Sequence, residues 1–427
     1  MKIGVVGAGI SGMAAAYVLG RQHDVWLFEQ DARLGGHANT VTVTDRADRK
    51  IPIDTGFIVF NEPNYPYLNA LFAQLDVSSI ASDMSFSVHC DRTGYEFNGT
   101  DLNRLFVQRS NIAKLSHWRM LRHILRFHRV AHRYLDDAAN DTMSVEQFVE
   151  HEGFGREFFE HYLVPLGASL WSTGAERFKT FPIRFVIEFL HNHAMLQVDD
   201  RPQWRTVKGG SIEYVRRLRA ALRATIIDNS PVSRVRRGHR GDTGGHDRGW
   251  VIHTAEGPTF DFDEVVLAVH ADDALSICED LDDDERGALE CFPYQQNEVA
   301  LHAGDEMLPD RRPAWAAWNY RIPCAAQSDV SVTYYMNYLQ QLETDDHFCV
   351  TLNPNAETLT AESLARFTYR HPTYSPGRGA VQAAHEQFVR RKGRSFCGAY
   401  WGYGFHEDGI ASAMRVCAAY GLELDHA

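Results

Sequence analysis

Lys2-Ile3-Gly4-Val5-Val6-Gly7-Ala8-Gly9-Ile10-Ser11-Gly12 opens the chain, and Asp24-Val25-Trp26-Leu27-Phe28-Glu29 follows shortly after it. The apolar run over residues 2–6 predicts a buried strand, the alanine-rich run over 9–19 a helix, and residues 24–28 a second strand. Between the first strand and the helix, Gly7, Gly9 and Gly12 stand at GxGxxG spacing. Gly7 allows the tight turn, Gly9 lets a pyrophosphate approach the backbone, and Gly12 lets helix and strand pack closely. The helix start around Ser11 offers unpaired N–H groups and partial positive charge to phosphates. Glu29, at the end of the second strand, is placed to accept both ribose hydroxyls, and its charge repels a 2′-phosphate. A glycine turn with no ligand is the plain alternative. The strand, helix and acid around it favour a dinucleotide.

The chain has 427 residues, enough for two interleaved domains. Hydrophobic residues at 44% and charged residues at 23% are ordinary globular usage, which excludes disorder. No apolar run reaches the roughly 18 to 20 residues of a membrane-spanning helix. The apolar N-terminus carries motif glycines and does not read as a secretion signal. A net charge of −13 argues against nucleic acid as a partner. Seven cysteines with no CxxC pair predict reduced thiols in a cytoplasmic protein and no metal site.

Glu29-Gln30-Asp31-Ala32-Arg33-Leu34-Gly35-Gly36-His37 continues the fingerprint, and Asp54-Thr55-Gly56-Phe57 lies a short way beyond. Both segments resemble the flavin amine oxidase and phytoene desaturase superfamily, the first through its ExxxRxGG extension. The resemblance implies FAD on a Rossmann-like α/β domain of the amine-oxidase type, interleaved with a mixed α+β substrate domain. It puts Arg33 at the pyrophosphate, Gly35, Gly36 and His37 along the cofactor, and residues 54–57 beside the ribityl chain and flavin. The FAD domain of that superfamily is discontinuous, so its remaining parts are expected late in the chain. Val232, in a strand over 231–235, would sit near the adenine. A glycine-rich hairpin loop over 238–249 leads to a strand at 250–253, and the strand over 262–269 would rejoin the main sheet. Gly398 follows another strand. Gly409 and Ile410 would begin a helix that faces the flavin and stabilises negative charge on it when reduced. These positions divide the chain into 1–75, 206–290 and 390–427 for FAD, with 76–205 and 291–389 for substrate.

Further segments narrow the resemblance. They include Gln203-Trp204-Arg205-Thr206-Val207-Lys208-Gly209-Gly210-Ser211 and the closing Gly402-Tyr403-Gly404-Phe405-His406-Glu407-Asp408-Gly409. They are similar to the FAD-dependent oxidoreductases encoded beside bacterial cyclopropane-fatty-acid synthases. That similarity implies redox chemistry on an unsaturated or methyl-modified acyl chain of a fatty acid or phospholipid, with hydride passing to flavin N5. Three other readings stand beside it: an amine oxidase with Trp401 and Tyr403 caging the amine, a flavin-bearing partner of a lipid methyltransferase, and a non-redox isomerase.

A proton acceptor that works near neutral pH suits histidine. His191, His193 and His406 are the candidates, with Tyr400, Trp401 and Tyr403 lining the flavin face. Lys208 either meets the flavin or sits in solvent, and His37 or Cys397 is open to a covalent flavin link. Arg119, Arg122, Arg126, Arg129 and Arg133 recur at steps of three and four, beside an apolar stripe of Trp118, Leu121, Leu125, His132 and Leu135. Such a helix either lies on an anionic membrane, peripheral on its inner face, or is a surface helix whose arginines pair with acidic loops such as 282–285.

Overall fold

The computed structural model describes the chain except residues 136–141, 198, 239–248, 256, 325–330, 355–358, 360–361, 375–376 and 426–427. Five strands form a parallel sheet in the order Ala224–Ile227, Asp24–Phe28, Lys2–Val6, Glu264–Leu267, Arg394–Phe396. A parallel sheet is covered on both faces, which is why the central strands Asp24–Phe28, Lys2–Val6 and Glu264–Leu267 are near-continuous apolar runs. Ile3, Val5, Leu27, Val265 and Val266 are all wholly buried.

Helix Ile10–Leu19 connects the first two strands, and nine of its ten residues are buried. A helix apolar on every side needs cover on every side. The cover comes partly from helix His406–Ala418, so the two ends of the chain share one core. That closing helix begins at His406 and not at Gly409 as the sequence suggested. The Asp408 carboxylate accepts the Phe405 N–H at 2.8 Å, and this cap fixes the earlier start. Strands Val232–Arg237, Trp250–Thr254 and Thr259–Phe262 form an antiparallel layer against the parallel sheet. Most of the glycine-rich loop expected at 238–249 lies outside the described residues.

The second half of the molecule is a seven-stranded sheet, ordered Ser363–Pro372, Tyr294–Ala303, Phe348–Leu352, Val332–Tyr335, Trp318–Ile322, Phe86–Cys90, Tyr95–Asn98. Its last two strands come from residues 76–205, the first part assigned to the substrate domain. Phe86–Cys90 pairs in parallel with Trp318–Ile322, a partner more than 200 residues away that no local pattern announces. Helices Leu115–Val130, Val145–His151, Val164–Leu170 and Ile183–Asn192 pack around a core rich in phenylalanine, including Phe127, Phe148, Phe158, Phe178 and Phe181. Residues Phe159–Leu163 form a π-helical turn just before Pro165. Proline has no N–H for the helical bond to the carbonyl four residues back, and the wider turn absorbs that loss. Phe86, Ile124 and Tyr162 pack against both the helical core and the sheet core, so they mark the seam between them. Among the described residues no helix is long and apolar enough to cross a membrane.

Candidate active site

The glycine-rich turn is shaped by contacts that leave no room for side chains. Gly7 has φ 96°, and a Cβ on Gly12 would lie 1.8 Å from the Gly7 carbonyl oxygen. A Cβ on Gly9, in contrast, would meet nothing within 4 Å. There is open space at the helix start, where a phosphate would take the unpaired N–H groups. Gly35 N–H donates to the Ala8 carbonyl at 2.8 Å, bringing the second glycine pair alongside the first. The Glu29 carboxylate accepts the N–H of Ala8 at 2.8 Å and of Asp31 at 3.1 Å, which fixes it at the strand end. Burial raises its pKa. Arg33 donates to the Ala38 carbonyl at 3.0 Å, beside the same turn. Gln30 is exposed, and Val232 is half-buried at the start of its strand. The open phosphate space, the free helix start and the placed carboxylate fit the pyrophosphate and ribose of FAD.

Residues 54–57 run beside residues 37–39. Thr55 N–H donates to the Asn39 carbonyl and Phe57 N–H to the His37 carbonyl, both at 2.8 Å. A Cβ on Gly56 would stand 2.2 Å from the His37 carbonyl oxygen. Asp54 is wholly buried and accepts from Thr40 Oγ1 at 2.6 Å, Ser211 N–H at 2.8 Å and Ser211 Oγ at 2.7 Å. Burial still pushes its carboxyl up to about 6. Its contacts fasten the turn at residues 209–211 and leave Lys208 in solvent. Phe57 stacks on His406 with centroids 3.7 Å apart, and His406 Nε2 lies 3.0 Å from Tyr214 Oη.

Around this strip stands a group of imidazoles. The His37 ring is 5.8 Å from His270, 5.6 Å from His371 and 5.0 Å from the Tyr369 ring. His37, His371 and His406 lie deep in the protein yet keep accessible surface, so they border internal space. Burial lowers His37 to about 4 and both His371 and His406 to about 3; Arg33 adds to the lowering of His37, and His37 to that of the other two. All three are neutral at pH 7.

The tautomer of His371 follows from its neighbours. Asn353 Nδ2 donates to Asn297 Oδ1 at 2.8 Å, and Asn297 Nδ2 donates to the Ser172 carbonyl at 3.0 Å. That leaves the Asn297 amide nitrogen against His371 Nδ1 at 2.9 Å. Nδ1 must accept, so the proton sits on Nε2 as a donor. His371, His270, Tyr369 and Asn297 were not singled out in the sequence. The alternation Phe367, Tyr369, His371 on strand Ser363–Pro372 was the available signal, since every second residue shares a face.

The other candidates are dispersed. His193 stacks on Phe189 at 3.9 Å and its Nδ1 donates to the Phe189 carbonyl at 2.9 Å, inside the helical half. His191 meets His132 at 5.1 Å. Trp401 stacks on His385 at 4.1 Å, whereas Tyr403 packs on Phe185 at 5.2 Å, so the two rings enter different clusters and do not face one another. Gly398 N–H donates to Ser412 Oγ at 2.9 Å. A Cβ on Gly409 would come 2.8 Å from Ser11 Oγ, which shows how closely the closing helix meets the first one; Ile10 and Ile410 are buried there. The Cys397 thiol is wholly buried and pushed well up in pKa, which keeps it a thiol.

This charge pattern gives a pH dependence of stability. His37, His128, His193, His302, His371, His385 and His406 are lowered from 6.5 to about 3 or 4. Each holds fewer protons folded than unfolded, so each loses stability as pH falls through 6.5 toward its folded value. Asp54 and Asp408, raised to about 6, and Glu407, raised to about 7, act in the opposite sense across the same range. The histidines outnumber them. The thermal midpoint is expected to fall steadily from pH 6.5 to pH 4; a flat profile in differential scanning fluorimetry would contradict the buried neutral imidazoles.

The family model for flavin containing amine oxidoreductases matches residues 10–294. No curated protein matches the chain. Solved structures share its fold end to end. Cyclohexylamine oxidase from Brevibacterium oxydans IH-35A is 14% identical, with TM-score 0.68 over 98% of each chain. A CLA-producing fatty acid isomerase from P. acnes is 15% identical, with TM-score 0.68 over 98% of each. Putrescine oxidase bound to putrescine is 15% identical, with TM-score 0.68 over 98% of this chain and 99% of that one.

Proposed function

Because the chain belongs to the flavin-containing amine oxidoreductase family, and so is an FAD-dependent oxidoreductase, we propose that its substrate is an unsaturated or methyl-modified fatty acyl chain that it oxidises. FAD supplies the hydride acceptor when bound. The observation that carries the acyl reading is the neutral, aromatic character of the interior. Tyr162 packs against both the helical core and the sheet core and Tyr334 against the sheet core, each keeping some accessible surface. Phe185, Tyr403 and Phe405 are partly buried and pack with the buried Phe189 at the helical core.

The chain's own groups suit a neutral substrate. His37, His371 and His406 carry no charge at neutral pH. The Glu407 carboxylate is taken by the N–H groups of Tyr67 at 2.8 Å and Leu68 at 3.0 Å, and Asp408 by that of Phe405. An ammonium entering such a wall would lose its hydration without gaining a free anion, which is costly. An apolar chain loses nothing by entering. His371 is fixed as a hydrogen-bond donor, while His37 and His406, unprotonated and held at about 4 and about 3, are able to pass on a proton removed from carbon but not to keep it at neutral pH. The fatty acid isomerase among the fold relatives is consistent with room for such a chain.

The test is anaerobic titration of the yellow protein with phospholipids and free acids bearing unsaturated or methylated chains, and separately with amines. Bleaching of the flavin by an acyl compound is expected, with amines inert. Bleaching by amines alone would replace this reading with an amine oxidase.

A further inference from the structure

Between Leu102 and Leu135 the chain carries eight Lys and Arg and no Asp or Glu, within a protein of net charge −13. Local charge of one sign on an oppositely charged molecule calls for a partner. The helix Leu115–Val130 in this stretch buries Met120, Phe127 and Val130 and turns the opposite face outward. On that face Leu115, Trp118, Arg122, Leu125 and Arg129 follow one another at steps of three and four, all exposed. Leu115 is 86% exposed, Trp118 49% and Leu125 52%. Of the apolar stripe read from the sequence, Trp118, Leu125 and His132 are exposed and Leu121 and Leu135 half-buried.

The segment ahead of the helix adds to this face. Leu102 is 76% exposed and Ile112 53%, and Trp118 Nε1 donates to the Ile112 carbonyl at 2.8 Å. Five of the seven exposed large hydrophobic residues in the described structure thus fall within 24 residues of sequence, from Leu102 to Leu125. Scattered apolar residues need no explanation, but a contiguous patch does.

The alternative, that the arginines pair with the acidic loop at 282–285, does not hold. Asp282 pairs with Arg391 and Lys392, Asp284 with Arg391, and Glu285 with Arg394. Arg119 and Arg126 pair instead with Glu157 and Glu152. Arg122, Arg129 and Arg133 form no ion pair among the described residues and point to solvent.

We propose that the segment 102–112 and the exposed stripe of helix Leu115–Val130 dock on an anionic lipid bilayer. Leucine and tryptophan side chains enter the interfacial layer while the arginines meet lipid phosphates. Beside this face lies a cavity of about 180 Å³ lined by Tyr95, Lys114, His117, Met120, Glu157 and His161. His161 precedes Tyr162, which marks the seam between helices and sheet. Docking would therefore hold this cavity at headgroup level. The docking rests on the surface itself; only its use, delivery of a lipid chain, rests on the acyl reading above.

The experiment is flotation of the FAD-loaded protein with vesicles of phosphatidylglycerol and phosphatidylethanolamine, and with phosphatidylcholine vesicles, at low and high salt. Binding to the anionic vesicles alone, weakened by salt, is expected. Arg122→Glu/Arg129→Glu/Arg133→Glu is expected to weaken partitioning by about 100-fold or more, at about fivefold per cation lost. Leu115→Asp/Trp118→Asp is expected to abolish salt-resistant binding, and Arg286→Glu, on a different exposed helix, to change nothing. Retained yellow colour confirms that each variant is folded. The proposal is overturned if the wild type stays with the soluble fraction, or if both interface variants float as it does. Flavin bleaching by detergent-dispersed lipid is read separately, so a failed substrate assignment remains distinguishable from a failed dock.

Discussion

Replacing Gly9 with valine is expected to give a folded but colourless protein. Its backbone is extended, with φ −70° and ψ −177°, which valine adopts without strain. A Cβ there meets nothing within 4 Å, so the ligand-free fold has no reason to resist it. The same side chain would stand where the pyrophosphate approaches the helix start. Loss of that approach should weaken FAD affinity by about 100-fold or more, roughly the value of two charge-assisted hydrogen bonds. Gly12→Val is the contrasting case. Its Cβ would lie 1.8 Å from a backbone oxygen, so this variant is expected to be unstable with or without cofactor. Melting of the ligand-free proteins separates the two: Gly9→Val should melt within a few degrees of the wild type, and Gly12→Val far below it.

The second large effect is at His371. Its Nε2–H is directed by the chain from Asn353 through Asn297, and removing a preoriented donor of this kind costs about 100-fold or more in rate. His371→Phe should bind FAD normally and reduce it that much more slowly under anaerobic single turnover. Asn297→Asp tests the orientation itself. A carboxylate accepts from Nδ1–H, so the proton moves to Nδ1 and the pKa of His371 rises toward the ordinary histidine range. That variant should acquire a pH-dependent rate near neutrality that the wild type lacks. A role for Asn297 in packing alone would lower the rate without moving the pH profile.

How much of this was legible in the sequence follows from the range of the interactions. The turn at residues 7–12, the two strands around it and Glu29 were readable because strand, turn and helix signals lie next to each other. The return of Glu264–Leu267 and Arg394–Phe396 to the same sheet was accessible only through resemblance, since nothing in a short apolar run names its partner. Strand Phe86–Cys90 was missed for the same reason. His406 was singled out because it sits in a distinctive glycine-rich segment. His371 was not, because a lone histidine in a strand becomes part of a site only through Asn297 and His37, distant in sequence. His193 looked equivalent in sequence and is held instead by its own helix. The basic helix was legible as a pattern. Which of its faces was free depended on Phe127 and Met120 finding cover in the helical core and the sheet core.

The most direct measurement is the mass of the acyl product after one anaerobic turnover of the FAD-loaded protein with an unsaturated phospholipid. Oxidation at this site predicts a chain lighter by two hydrogens, formed in equal amount to the flavin bleached. A chain of unchanged mass with a shifted double bond and no net bleaching would contradict oxidation and make the protein an isomerase.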